Sequence, residues 1–219
     1  MRFNEFKLPQ EPLSLKQLDQ RCKAILPRCI AAARKFYQQD MANKQLSPQE
    51  QQANLQRFDQ SLQGLTIEAE TQWLPNWNWE TGLQWGVGTS ASAGLNQIKV
   101  KWSQEQYQDD DSLTWGIAHE LAHILDGRFF RYSQGKGQTS EQFADQLGTE
   151  ICKTMGITKA SYFRNATRDN PEVYKSQMNP DNPGSASDPH GTFYQRRQRA
   201  LQQGFDLSKG TAPEMGPTA

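Results

Sequence analysis

Residues 112–127 read SLTWGIAHELAHILDG. An α-helix brings residues four apart onto one face, so His119 and His123 project side by side. Leucine, isoleucine, alanine and tryptophan cover most of the remaining circumference of the helical wheel. A helix that is apolar nearly all round is buried in a protein core. The stretch therefore predicts a buried helix with one narrow polar sector, formed by the two histidines and Glu120.

This polar sector has the residue types of a metal site. Buried polar side chains need partners, and two imidazoles on one face can bind one metal ion between them. Together with Glu120 they form HExxH, the pattern of zinc hydrolases in which the histidines hold the metal and the glutamate acts on the bound water. The alternative is a core helix whose histidines are hydrogen-bonded to backbone groups. We expect the metal site, because it explains the two histidines and the adjacent glutamate together.

The composition is that of a folded protein without a strong overall charge. The 219 residues suffice for one large domain, and Lys plus Arg equals Asp plus Glu at 24 each. We therefore expect neither nucleic acid nor a membrane surface as a partner. No apolar run reaches the roughly 18 residues of a transmembrane helix, and the start does not read as a signal peptide. The opening MRFNEFK resembles the starts of some tailed-phage structural proteins.

The three cysteines, Cys22, Cys29 and Cys152, form neither a CxxC pair nor a dense disulfide framework. We interpret them as small apolar core residues rather than metal or redox groups. This cysteine usage fits a reducing compartment. The predicted location is therefore the cytoplasm or, given the opening residues, a phage virion.

Two helices are predicted ahead of any strand. Ser14 begins the first with a capping box closed by Gln17, and Pro27 indicates either a kink or two abutting helices. Ser47 caps the second helix, which ends at Gly64. Both helices carry an apolar stripe, so both are expected to pack on the core.

Alternating apolar residues predict strands at 65–69, 83–87 and 98–102. The segment WLPNWNWETG at 73–82 is interpreted as a Trp-rich turn packed on the core rather than a binding surface. Asp111 and Ser112 are expected to cap the HELAH helix, and Gly127 to end it. The pattern predicts an α+β protein that is mostly helical, with a small mixed sheet and an active-site helix.

A second pair of polar residues lies on the helix predicted at 139–156. Glu141 and Asp145, one turn apart, fall beside its apolar stripe and lean toward the interior. Two histidines with one glutamate are an established catalytic zinc set. We therefore assign Zn²⁺ to His119, His123 and Glu141, with Asp145 accepting the free N–H of a zinc-bound histidine. The alternative is a salt-bridge pair on a solvated face, and cobalt or manganese would also suit the ligands.

HELAH followed by EQFADQLG at 141–148 resembles the gluzincin metallopeptidases, whose second motif is ExxxD. The form ExxAD is that of the HtpX-type and neutral zinc metallopeptidase families. DPHGTFYQRRQRALQQGFD at 188–206 is similar to the HGSSxQR stretch of the neutral zinc metallopeptidases. The third histidine that metzincins require does not follow His123. The resemblance covers about residues 83–206 and implies a zincin-like fold, in which the last strand before the helix is an edge strand that pairs with extended substrate.

The resemblance implies a zinc-dependent metallopeptidase that hydrolyses peptide bonds of a protein or peptide substrate through a metal-activated water, with Glu120 as general base. A donor for the oxyanion is also expected, and the candidates are His190, Tyr132 and Tyr194. His190 alternatively caps or positions the helix that follows it. Two other functions stay open: a structural or virion-associated protein with a zincin fold, and a zinc hydrolase acting on peptidoglycan amide bonds.

The predicted organisation has four parts. An N-terminal helical segment at 1–64 precedes a zincin-like catalytic core at 65–156; a loop and C-terminal helix at 157–206 complete the domain, and 207–219 form a flexible tail. The N-terminal segment resembles no family, and no pattern in the chain predicts an oligomeric state.

Overall fold

The computed structural model describes residues 14–71, 87–89, 96–102, 109–130, 140–160, 171–185 and 190–207. In chain order these contain helices α1 (Leu15–Asn43) and α2 (Pro48–Ser61), strands β1 (Thr66–Thr71), β2 (Val87–Thr89) and β3 (Gln97–Trp102), helix α3 (Asp110–Leu125), a π-helical turn (Asp126–Phe130), and helices α4 (Ser140–Thr154), α5 (Pro171–Gln177) and α6 (Phe193–Gln202). The protein is therefore of the α+β class and mostly helical, as the sequence pattern predicts.

The first two helices begin where their caps predict. The side chain of Ser14 accepts from the backbone N–H of Gln17, whose own side chain returns to the Ser14 backbone. Ser47 and Glu50 make the same reciprocal pair at the start of α2. Such capping satisfies backbone donors that the first helical turn leaves without partners. Pro27 lies inside α1, so the two apolar patterns on either side of it belong to one continuous helix.

The described sheet has the strand order β1-β3-β2. Strand β3 pairs in parallel with β1, where Ile67 lies opposite Ile98, and antiparallel with β2, where Val87 lies opposite Val100. The sheet is mixed, as predicted. The expectation that the last strand before α3 is an edge strand is wrong, because β3 is hydrogen-bonded on both sides. Its neighbours are set by pairing across the chain, which the alternation within one strand does not encode.

Helix α3 occupies the middle of the core. It packs against α1, α4, β2 and β3, and from Ser112 to Leu125 every residue except His123 is buried. Three cysteines, Cys22, Cys29 and Cys152, are also buried thiols of this core, as predicted. The apolar cluster continues to Leu207, so α1 and the segment after α6 share one core with the strands. Within the described residues no helix is long and apolar enough to span a membrane.

The start and end of α3 differ from the expectation. Asp109 is the N-cap and accepts from the backbone N–H of Ser112, in place of the predicted Asp111 and Ser112 caps. Gly127 does not end the helix, because the chain continues in the π-helical turn. Phe129 and Phe130 of that turn place their rings 5.0 and 5.3 Å from the ring of Tyr37 on α1. These aromatic contacts stabilise the helical turn that continues past Gly127.

The polar region at 157–189 contains more structure than a loop. Helix α5 forms within it, and Lys159 makes a parallel β-bridge with Asp206 after α6. The Trp-rich segment at 73–82 lies outside the described residues, as does Thr139, the first residue of the helix predicted at 139–156. Of the tail predicted at 207–219, residues 208–219 also lie outside them, whereas Leu207 is buried in the core, so the tail cannot begin before residue 208.

Candidate metal centre

The site is built where α4 packs antiparallel on α3. Ser140, at the start of α4, contacts His123; Gly148 packs on His119; and Thr149 accepts from the indole N–H of Trp115 at 3.4 Å. The close approach requires Gly148, since a Cβ at this position would lie 3.0 Å from the backbone nitrogen of His119. This packing brings the acidic face of α4 against the histidine face of α3.

The predicted ligand residues meet at one point. Oε2 of Glu141 lies 3.2 Å from Nε2 of His119 and 3.3 Å from Nε2 of His123, and the two Nε2 atoms are 3.2 Å apart. One ligand atom from each residue falls within 4.8 Å of the others. Imidazole nitrogens and a carboxylate oxygen grouped in this way could hold a metal ion.

A missing hydrogen bond at Oε2 of Glu141 also indicates that a cation can bind here. Oε2 of Glu141 is buried, yet it accepts no well-directed hydrogen bond from any described residue, although histidine nitrogens lie close to it. Buried carboxylate oxygens are otherwise almost always satisfied. The Nε2 atoms of His119 and His123 lie within hydrogen-bonding distance of each other, and a metal ion at the point where they meet Oε2 of Glu141 would give that oxygen a partner.

The acidic and basic groups of the site shift one another's pKa values toward the charged forms. Burial alone would lower the pKa of His119, but the carboxylates of Asp145, Glu141 and Glu120 outweigh it and raise that pKa to about 9. Burial would raise the pKa of Glu141, and the imidazoles of His119, His123 and His190 hold it well below its usual range instead. The carboxylates thus create a strongly negative pocket, which attracts a proton or a metal cation.

Asp145 lies behind His119, on the side away from the other ligands. Its Oδ1 is 3.1 Å from Nδ1 of His119, although the angle of this contact is poor for a hydrogen bond. Arg196 donates to both carboxylate oxygens at 2.9 and 2.6 Å, and Arg199 donates to Oδ2 at 3.2 Å. Despite burial, which would raise it, Arg196 and His119 hold the pKa of Asp145 well below its usual range. The fixed carboxylate favours the tautomer that leaves Nε2 of His119 to face a metal.

Two further features of the surroundings are not apparent from the HELAH and ExxAD motifs. Ser140 Oγ lies 3.0 Å from Nδ1 of His123, which gives the second histidine an outer partner as well. The guanidinium of Arg196 also lies over the ring of Trp115, 5.6 Å from its centroid. Ser140 stands in the first turn of α4, one residue before Glu141, so the contact follows once the antiparallel packing is known.

The remaining predicted residues surround the ligands. Glu120 is buried, and its negative charge contributes to the raised pKa of His119. His190 brings Nε2 to 2.9 Å from Oε2 of Glu141 while its side chain stays 42% exposed, so it lies at the rim of the site. His190 is not the cap of α6, because Thr192 is the N-cap. Tyr194 lies half-buried on α6, and Tyr132 is outside the described residues.

No protein-family model, no curated protein and no solved structure matches the chain. The gluzincin resemblance therefore stays a prediction from sequence motifs.

Proposed function

We propose that this protein is a zinc-dependent metallopeptidase. The observation that supports this most is the convergence of Nε2 of His119, Nε2 of His123 and Oε2 of Glu141 on one point, with buried Glu120 beside them. Three protein ligands leave a fourth position of a tetrahedral zinc ion for water or substrate. A purely structural site has no use for an adjacent buried base.

The residues divide the work of hydrolysis between them. Zinc held by the three ligands would supply Lewis-acid chemistry to the scissile carbonyl and the attacking water. Glu120 takes the proton of that water and delivers it to the amine nitrogen that leaves. Asp145 keeps the ring of His119 in one orientation, with its own carboxylate held by Arg196.

His190 has the position of an electrophilic assistant. Its side chain contacts Glu141 at the site and remains partly exposed to solvent, where a substrate arrives. An N–H donor at such a rim stabilises the negative charge that develops on the carbonyl oxygen of the substrate. We assign this role to Nε2 of His190.

A digest tests the proposed function. Purified protein is incubated with casein and with a peptide library, and in parallel with purified peptidoglycan. We expect new peptide termini that disappear with 1,10-phenanthroline, return with added zinc and are missing in Glu120→Gln. Zinc-loaded wild-type protein that cleaves none of the peptides would refute the peptidase assignment. If fragments are released from peptidoglycan but not from casein or the peptides, the substrate is the amide bonds of peptidoglycan.

A further inference from the structure

Arg199 connects two parts of the site that lie on different elements. Its Nη2 donates to the backbone oxygen of His190 at 3.0 Å and to Oδ2 of Asp145 at 3.2 Å. Asp145 is the residue behind His119, and His190 is the residue at the rim beside Glu141. One guanidinium thus joins the outer partner of a predicted ligand to the turn that carries the rim histidine.

The turn that carries His190 is fixed on its other side as well. Gly191 has φ of 75°, in the left-handed region that glycine adopts without strain. A Cβ at Gly191 would lie 2.5 Å from Oε1 of Gln195, the side chain that accepts from the backbone N–H of Thr192. The capping box of α6 therefore determines how the chain leaves His190. The contact of Arg199 with the His190 carbonyl fixes the orientation of the peptide that joins His190 to Gly191.

Arg196 and Arg199 have different tasks on the same carboxylate. Arg196 is 7% exposed in its side chain and binds both oxygens of Asp145, which is the strong bidentate arrangement. Arg199 is 30% exposed and reaches one of these oxygens. The contact that distinguishes Arg199 is the one with His190.

We propose that Arg199 is a positioning residue, which holds the imidazole of His190 against Glu141 through the His190 backbone carbonyl. The kinetic consequence of this inference rests on the proposed function, but the positional one does not. Loss of the guanidinium frees the 190–192 turn to rotate, and His190 then leaves the rim of the site. A displacement of about 1 Å in a catalytic group can cost roughly 100-fold in turnover.

The position of His190 can be measured without any activity. The chain contains 3 histidines, so the untagged protein labelled with ¹⁵N-histidine gives one set of ring signals for each, and His190→Ala identifies that of His190. In metal-free protein, we expect Arg199→Ala to move the His190 signals toward those of the unfolded chain. The matched control is Arg197→Ala, on the same helix, whose guanidinium pairs with Asp206 instead. It should leave all the ring signals in place.

Kinetics then separate an effect through His190 from a general loss of structure. Arg199→Ala should lower kcat by about 10- to 100-fold with zinc retained, and Arg199→Lys, which keeps a single cationic donor nitrogen, should lower it less. In the His190→Ala background, Arg199→Ala should change kcat by no more than about 2-fold, because residues that act as a unit are not additive. Arg197→Ala should match the wild type in both backgrounds.

Two results would overturn the inference. One is a His190 ring signal in Arg199→Ala that is unchanged, or a shift confined to His119, which would assign Arg199 to Asp145 alone. The other is a full additive loss of kcat in the double variant. If Arg199→Ala does not fold, Arg199→Lys takes its place in both measurements. If the wild type hydrolyses nothing, the proposed function fails while the ring signals still decide the role of Arg199.

Discussion

Gly148 of α4 lies directly against the backbone of His119 on α3. A Cβ at Gly148 would be 3.0 Å from the nitrogen and 3.1 Å from the Cα of His119. These neighbours are helix backbone and cannot turn aside as a flexible side chain can. Glu141 and Asp145 reach the histidines of α3 because the two helices approach this closely. The site therefore depends on the absence of a side chain at Gly148.

Replacing Gly148 with alanine should therefore push α4 away from α3. We expect a loss of about 1–3 kcal/mol in the free energy of unfolding, the usual effect of overpacking, and a weaker affinity for zinc. Gly127→Ala is the control, because a Cβ there meets no heavy atom within 4 Å. Chemical denaturation and a zinc competition titration measure both quantities. Equal zinc affinity in the Gly148→Ala and Gly127→Ala proteins would show that the helix spacing does not set the site.

Asp145→Asn should damage both the fold and the site. The side chains of Asp145 and Arg196 are 6% and 7% exposed, and breaking a buried pair typically costs about 3–5 kcal/mol of stability. Loss of an outer partner should also lower zinc affinity by about 10- to 100-fold. Asp206→Asn is the control, because Asp206 pairs with Arg197 and is more exposed than Asp145. It should lower the free energy of unfolding by less than about 1 kcal/mol and leave zinc affinity unchanged. Reduced stability of Asp145→Asn with wild-type zinc affinity would assign Asp145 to the fold alone.

His190→Ala should lower kcat by about 100- to 1,000-fold and leave zinc in place, the magnitude typical of removing one oxyanion donor. The expectation follows from the contact of its Nε2 with Glu141 at a partly exposed rim. His190→Gln, which retains an N–H donor, should recover part of the loss. Steady-state kinetics and zinc content are measured together. Unchanged turnover with lowered stability would assign His190 to the fold, and loss of zinc would make it a ligand.

The cysteine thiols should be unreactive in the folded protein. Burial raises the pKa of Cys22 and that of Cys29 to about 12, and it raises the pKa of Cys152 well above the usual value. Because the thiolate is the reactive form, a pKa raised this far lowers its fraction at neutral pH by about 1,000-fold. Ellman's reagent should label the native chain slowly and all 3 cysteines after unfolding. Rapid labelling of the native chain at unchanged circular dichroism would contradict the buried core described here.

The parts of the site that lie on single helices can be predicted from the sequence. His119 and His123 share a face because helical spacing is a local property, and the same periodicity places Glu141 and Asp145 on one face of α4. We infer that these two helix faces meet because a metal ion with two histidine ligands needs a third protein ligand. The metal pattern therefore predicts a tertiary contact that periodicity alone does not.

The parts that depend on distant pairing cannot be predicted in this way. Arg196 reaches Asp145 across a separation of 51 residues, and the contact exists only after α6 has docked on α4. The central position of β3 likewise depends on two partners far along the chain. The turn after α3 continues past Gly127 because of aromatic packing on Tyr37, which overrides the usual preference of glycine for a helix end.

Zinc binding by Glu141→Gln, compared with Glu120→Gln, shows whether Glu141 is a metal ligand and Glu120 is not. The metal-free proteins are loaded, and the zinc content per chain and the dissociation constant are measured by elemental analysis and competition with a chromogenic chelator. We expect one zinc per chain in the wild type and in Glu120→Gln, and an affinity lowered by more than about 100-fold in Glu141→Gln, which lacks the carboxylate ligand. Wild-type zinc affinity in Glu141→Gln, or less than one zinc per chain in the wild type, would contradict a zinc site formed by His119, His123 and Glu141.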